Sequence, residues 1–203
     1  MGLFDMFRRV APIVTRDELM DFLDRQAAFV AQKGLFEYSR ARAGPYGNML
    51  FDDKAFLAEL ETSRWLAFPV MLAMVGEAVE GLLRPAAGDR RAAMLQALTD
   101  AALATFDRYP VPAGLSAEAW AELRQQVEHD FSLLSFHPVK QAMDIPARFI
   151  DRYVAAMPIY EKLLAKDIPT IHNYLKTNLC NVHEVFVKRA DVAALADALT
   201  HPR

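Results

Sequence analysis

Residues 65–83 read WLAFPVMLAMVGEAVEGLL, and this stretch decides the fold of the chain. A helix formed by these residues is apolar on nearly every side, and its only charges are Glu77 and Glu80. Such a helix has to be enclosed by the protein's own core, by lipid or by a bound hydrophobic molecule. The class of the protein therefore depends on which of these three surrounds it.

The same stretch approaches the length of a membrane-spanning helix, but its composition favours a buried helix. Each of its two carboxylates would cost roughly 2–3 kcal/mol near the centre of a span. Pro69 and two glycines weaken an isolated helix, and single arginines, Arg64 and Arg84, flank it in place of a basic cluster on one side. We therefore predict the central core helix of a bundle, kinked or broken at Pro69.

Composition is that of an ordinary globular protein, with 53% hydrophobic and 24% charged residues among 203. The formal net charge of −3 gives no general attraction to nucleic acid, so we expect no nucleic-acid partner. Cys180 is the only cysteine, which excludes an intramolecular disulfide and a multi-cysteine zinc site. The first ten residues do not follow the signal-peptide pattern, and we expect a cytoplasmic location.

Apolar side chains recur at helical spacing along almost the whole chain. Thr15 and Glu18 form a capping-box pattern, and Ser116 and Asp191 are further helix starts. We expect the first helix to end at Gly34 and a loop to follow it. Since strand signals are nearly absent, the fold class is all-α, a single-domain bundle of about six to eight helices, several of them broken by proline.

The domain prediction is an N-terminal amphipathic arm, residues 1–14, followed by a single helical domain, residues 15–203. Apolar residues at positions 3, 4, 6, 7 and 10 crowd one side of the arm. Such a segment lies on a membrane surface or docks on protein, and docking is the commoner use. Membrane contact is expected to be at most peripheral, through residues 1–10.

The central stretch also supplies the main candidate site. Small residues around Pro69 could leave room between helices for an apolar ligand such as a lipid or a quinone. The candidate ligand-binding residues are Trp65, Phe68, Met71, Met74, Glu77 and Glu80. Glu77 and Glu80 have two interpretations: a solvated helix end with a Glu80–Arg84 salt bridge, or a carboxylate pair in an apolar cavity that transfers protons.

Two further groups could carry chemistry. Arg40 and Arg42 lie between Tyr38 and Tyr46, and this segment is where we expect contact with an anion if one is bound. Cys180 and His183 share a helix face and could form half of a metal site or an activated thiol. The commoner role of such a pair is structural, with a buried cysteine and an interface histidine. No Glu-x-x-His motif exists, which rejects a di-iron bundle, and we expect no metal and no cofactor.

Three functions remain open. The first is a non-enzymatic interaction or assembly protein, chaperone-like, with a protein partner or a second copy of itself; nine methionines and many aromatic residues suit adaptable contact surfaces. The second is a carrier or sensor of a hydrophobic small molecule held between helices. The third is an enzyme that uses Glu77 and Glu80 or Cys180 and His183. An interaction protein is favoured because no sequence motif names a reaction.

Overall fold

The computed structural model describes residues 12–159 and 166–201. These residues form an all-α bundle, and their only β pairing is an isolated bridge between Ile13 and Ala190. The α-helices of the described residues are α1 Arg16–Ala43, α2 Gly47–Asp52, α3 Lys54–Ala87, α4 Arg91–Phe106, α5 Ala117–Ser132, α6 Ile150–Ala155, α7 Ile168–Arg189 and α8 Val192–Thr200. The predicted fold class is thereby confirmed.

Helix starts follow the local capping signals. Thr15 accepts a hydrogen bond from the Glu18 amide, and the Glu18 side chain accepts from the Thr15 amide, so the predicted capping box is present. Ser116 caps α5 and Asp191 caps α8 with their side-chain oxygens. These side chains satisfy amides that have no partner inside the helix, which is why the residue type alone predicts the start.

Helix α1 does not end at Gly34, contrary to the sequence-based expectation. It continues to Ala43, and a short 3₁₀ turn at Gly44–Tyr46 leads into α2 where a loop was predicted. Gly34 is buried because the side chains of Tyr153 and Tyr174 pack closely against α1 at this position. An added Cβ would overlap the Tyr153 hydroxyl and lie 2.7 Å from Cε1 of Tyr174. The glycine at this position therefore permits helix packing and does not terminate the helix.

Helix α3 is the centre of the bundle and contacts all seven other α-helices of the described residues. Every residue from Ala67 to Glu80 is buried. One helical region of the described residues, 54–106, is long and apolar enough to cross a bilayer by length and composition, yet 83% of its most apolar window is buried inside the protein. This burial favours a core helix.

Of the kink or break expected at Pro69, the break is wrong. Helix α3 runs without interruption through Pro69 and Pro85 over 34 residues. A proline inside a helix removes one backbone hydrogen bond and costs about 3 kcal/mol. Burial of the surrounding helix on all sides offsets that cost, since contacts with seven other helices stabilise α3.

Ile13, which precedes α1, is hydrogen-bonded to the junction between α7 and α8. Ile13 is completely buried, its amide donates to the carbonyl of Arg189 at 2.9 Å, and the Asp191 amide donates to the Ile13 carbonyl at 3.2 Å. One core cluster of the described residues includes Ile13 and side chains from every long helix. The predicted amphipathic face of the arm lies outside the described residues, and the domain boundaries stay a prediction.

Candidate functional site

The aromatic and methionine residues predicted to bind a ligand are packed by the protein itself. Phe68, Met71 and Met74 are each at most 2% exposed. Trp65 contacts the rings of Trp120 and Tyr109, with centroids 5.9 and 4.9 Å apart. That these side chains bind a ligand stays a prediction, and the face of α3 that carries them is filled by neighbouring helices.

A pocket of about 320 Å³ lies on another face of the same helix. Leu66, Pro69 and Val70 form one wall, and α5 and α6 supply the others. The third wall is formed by Arg152 and Ala155 of α6 and by Ala156 directly after this helix. The sequence indicated room for a ligand around Pro69 but not the residues that line the pocket, since the facing alanines come from a segment more than eighty residues further along the chain.

Glu77 and Glu80 are buried, so the predicted solvated end of α3 is wrong. Their side chains are 4% and 1% exposed. The predicted salt bridge is present and bidentate, with Arg84 donating to both carboxylate oxygens of Glu80 at 2.8 and 2.7 Å. Arg91 approaches the same carboxylate at 3.7 Å. Two arginines thus compensate the one buried charge at Glu80.

Arg84 and Arg91 also hold the segment that covers this end of α3. Both donate to the carbonyl of Leu134, at 3.1 and 2.9 Å, and Arg84 donates to the carbonyl of His137 at 3.0 Å. These carbonyls follow α5, in a 3₁₀ turn at Leu133–Phe136 and just beyond it. The acid at position 80 therefore orients two arginines that tether a connecting segment, which is a structural role.

Glu77 has a different set of partners. Lys140 lies 3.0 Å from one carboxylate oxygen, and Arg148 lies 2.7 Å from the other. Neither cation was singled out by the sequence, because both come from the segment between α5 and α6, and Arg148 is 71 residues away from Glu77. Buried carboxylates require such partners. Glu77 and Glu80 thus occupy separate ion-pair environments on one helix.

Asp130 extends the network of Glu77 toward the pocket. Arg148 lies 3.8 Å from one oxygen of Asp130, and Arg152 donates to the other at 2.8 Å. Burial raises the pKa of the Asp130 carboxyl, and the neighbouring Arg152 and Arg148 guanidinium groups oppose that rise. Arg152 in turn lines the pocket beside Pro69. The "ion-pair chain" Glu77–Arg148–Asp130–Arg152 therefore connects the core helix to the pocket.

The remaining candidates are placed apart from this network. Arg42 pairs with Asp167 at 3.2 Å, next to the N-terminus of α7, and Arg40 is exposed in the last turn of α1. Their contact with an anion stays a prediction. Cys180 is exposed, so the expectation of a buried cysteine is wrong, and His183 is half-buried. The described residues contain no group of three or more acidic, histidine or cysteine side chains that could hold a metal ion.

Sequence reasoning also missed an apolar surface at one end of the bundle, where α1, α2 and α3 meet. The rings of Phe36 and Phe51 are 4.7 Å apart, and those of Phe51 and Phe56 are 5.5 Å apart. Phe36 and Leu57, each about 40% exposed, line one hollow of about 150 Å³. Phe29, 52% exposed, lies two helical turns before Phe36 on the same face of α1. We call these five residues the aromatic surface.

Comparison with known proteins gives no match, whether to a family model, to a curated protein or to a solved structure.

Proposed function

We propose that this protein is a helical assembly protein whose aromatic surface binds a second copy of the chain. The observation that carries the proposal is a set of aromatic and aliphatic side chains where three helices meet, with Phe51 and Phe56 half-buried and the other three exposed. Single exposed hydrophobic residues are normal, whereas a contiguous set marks an interaction surface. Aromatic residues are also enriched at the centres of protein interfaces.

Charges at the edge of the aromatic surface suit a copy of itself. Lys33 and Glu37 lie 3.9 Å apart on α1, and Arg64 pairs with Glu61 on α3. The edge therefore carries two cations and two anions. In a two-fold contact the same surface meets itself, so each cation can face an anion of the partner. The small net charge of −3 adds little repulsion between copies.

Sedimentation velocity of the full chain, from low to high micromolar concentration, tests this proposal. We expect the 22.8 kDa monomer to convert to a dimer as concentration rises. The double variant Phe36→Asp/Leu57→Asp places unpaired charges in both halves of the interface, and we expect its dissociation constant to rise at least about a hundredfold. Wild-type protein that stays monomeric throughout would contradict the proposal.

A matched control separates this interface from general stickiness. Val111 and Val187 are 45% and 50% exposed but do not belong to the aromatic surface. The double variant Val111→Asp/Val187→Asp changes charge and surface hydrophobicity by a similar amount. We expect it to dimerise like the wild type, and equal weakening of both variants would assign the association to surface hydrophobicity in general.

A second candidate function is carriage of an apolar small molecule, which the pocket beside Pro69 favours. Its volume of about 320 Å³ is within the range of about 300–1,000 Å³ that is typical of ligand sites. Its position between three helices is also typical of ligand sites in bundles. The enzyme hypothesis has no comparable support, because Glu77 and Glu80 are compensated by structural cations.

A further inference from the structure

We infer that the pocket beside Pro69 binds a small amphipathic carboxylate, with its apolar body against α3 and α5 and its carboxylate on Arg152. This inference rests on the second candidate function and goes beyond it by naming the ligand class. Its support comes from three features: the lining of the pocket, the free donor of Arg152 and the charge balance of the ion-pair chain.

The lining of the pocket defines the apolar body of the ligand. Leu66, Pro69 and Val70 of α3 face Leu123 of α5 across the pocket, and Ala155 leaves the side toward α6 open. Pro69 contributes a ring without an N–H, so this wall offers no backbone donor at that position. A volume at the low end of the usual range suits a short chain and excludes a whole phospholipid.

Arg152 supplies the donor for the head group. Its Nη2 donates to Asp130 at 2.8 Å, while its Nη1 is buried and has no hydrogen-bond partner among the residues that the structure describes. A guanidinium carries five N–H donors in a fork that matches a carboxylate. A buried donor without a partner is costly. The Arg152 side chain is 31% exposed and stacks on the ring of Phe149, and a small rotation of the guanidinium would bring Nη1 to a ligand carboxylate in the pocket and remove that cost.

The charge balance selects an anion. In the ion-pair chain and its neighbour Lys140, three cations share two carboxylates, Glu77 and Asp130. One further negative charge at Arg152 would complete the balance. Glu122 also lines the pocket, but it is exposed, so water and salt screen its charge. A neutral or cationic head group would leave the excess charge in place.

Titration calorimetry of the delipidated full chain with octanoate, octanol and octyltrimethylammonium tests the inference. We expect saturable one-to-one binding of octanoate, with octanol at least about tenfold weaker and the cation weaker still. Octanoate and octanol of equal affinity would overturn the assignment of the carboxylate while leaving the carrier function standing. If neither ligand binds, both the inference and the carrier function are overturned.

Three variants locate the binding. Arg152→Gln should reduce the affinity for octanoate to that for octanol and leave octanol unchanged. Ala155→Phe, at an exposed position of α6, should fill the pocket and abolish both; unchanged binding to this variant would overturn the site. Arg124→Gln is the matched control, since this arginine of α5 pairs with Asp107 and does not line the pocket.

The Arg152→Gln variant removes the arginine that donates to the buried Asp130 carboxylate, and this loss could destabilise the fold. Folding of the variant is therefore checked by circular dichroism. The double variant Asp130→Asn/Arg152→Gln removes both partners of the ion pair together and keeps the test valid if the single variant unfolds. We expect the same loss of preference for octanoate over octanol in the double variant. A preference that survives in it would overturn the role of Arg152.

Discussion

Gly76 of α3 makes room for the ring of Phe131, a residue of α5 that packs directly against α3 at this position. An added Cβ at position 76 would overlap the ring and lie 2.8 Å from its Cε1 atom. The ring is 1% exposed and has no open space to move into. The sequence suggested that small residues of α3 leave room for a ligand. At Gly76 this room is filled by the ring of Phe131.

At this position we predict that Gly76→Ala destabilises the protein by about 1–3 kcal/mol, because overpacking forces the ring or the helix to shift. Gly47→Ala is the matched control: Gly47 is helical, and its added Cβ would meet only Cγ of Arg40, at 3.9 Å. We expect this control to stabilise by about 0.4–1 kcal/mol through the unfolded chain. Urea unfolding measures both, and a neutral Gly76→Ala would contradict the close approach.

Two tyrosine–aspartate hydrogen bonds join helical elements across the bundle. Tyr38 of α1 donates to Asp167, which precedes α7, and Tyr109, which follows α4, donates to Asp24 of α1; both distances are 2.6 Å. Burial and the hydrogen-bonded carboxylates raise the pKa of each tyrosine from 10.0 to about 12. The protonated hydroxyl is therefore the form that the folded state requires.

The sign of the pH dependence follows from these pKa values. Below pH 10 both tyrosines are protonated in the folded and unfolded chains. Between pH 10 and 12 the unfolded chain releases protons that the folded chain retains, so we expect the free energy of unfolding to fall as pH rises through this window.

Urea unfolding at several alkaline pH values measures this slope. The double variant Tyr38→Phe/Tyr109→Phe should reduce it but not remove it, because burial also raises the pKa of Tyr153 and Tyr174. A slope that is identical in the double variant would show that the two hydrogen bonds do not set the pH dependence.

Helix starts could be predicted from sequence, whereas helix continuity could not. Thr15, Ser116 and Asp191 cap their helices through contacts within three residues, which the local sequence fully specifies. Gly34 and Pro69 are ordinary helix enders by the same local rules, but the elements packed against them keep α1 and α3 continuous. Tertiary packing outweighs local propensity at these two positions.

The candidate site was predictable only on the α3 side. Glu77 and Glu80 stand out in the sequence, because they are the only charged residues in the otherwise apolar stretch 65–83. Their environment could not be inferred, since Lys140, Arg148 and Asp130 are distant in the chain and reach α3 only through the path taken by the α5–α6 connection. Room for a ligand around Pro69 was expected, but the residues of α5 and α6 that line the pocket could not be identified, for the same reason.

At the scale of the molecule, one core cluster of the described residues reaches from Ile13 to Leu199. Because α3 contacts all seven other helices of the described residues, no group of these helices has a core of its own, and we predict that the chain unfolds in one cooperative transition. Fluorescence of Trp65 and Trp120 reports on the α3–α5 contact, while far-ultraviolet circular dichroism reports on all helices. The two transitions should coincide, and separate transitions would contradict the single domain predicted for residues 15–203.

Ile13 provides the sharpest test of this cooperativity, because it is fully buried where the chain start meets the α7–α8 junction. We expect Ile13→Ala to cost about 2–5 kcal/mol by leaving a cavity. This loss of stability should shift the tryptophan and circular dichroism transitions equally. The backbone of Ile13 pairs with the α7–α8 junction, whereas Trp65 and Trp120 are on α3 and α5. Val187→Ala, at a half-exposed position of α7, should change stability by less than about 0.5 kcal/mol. An Ile13→Ala shift confined to one probe would mean that the chain start belongs to a separately unfolding unit.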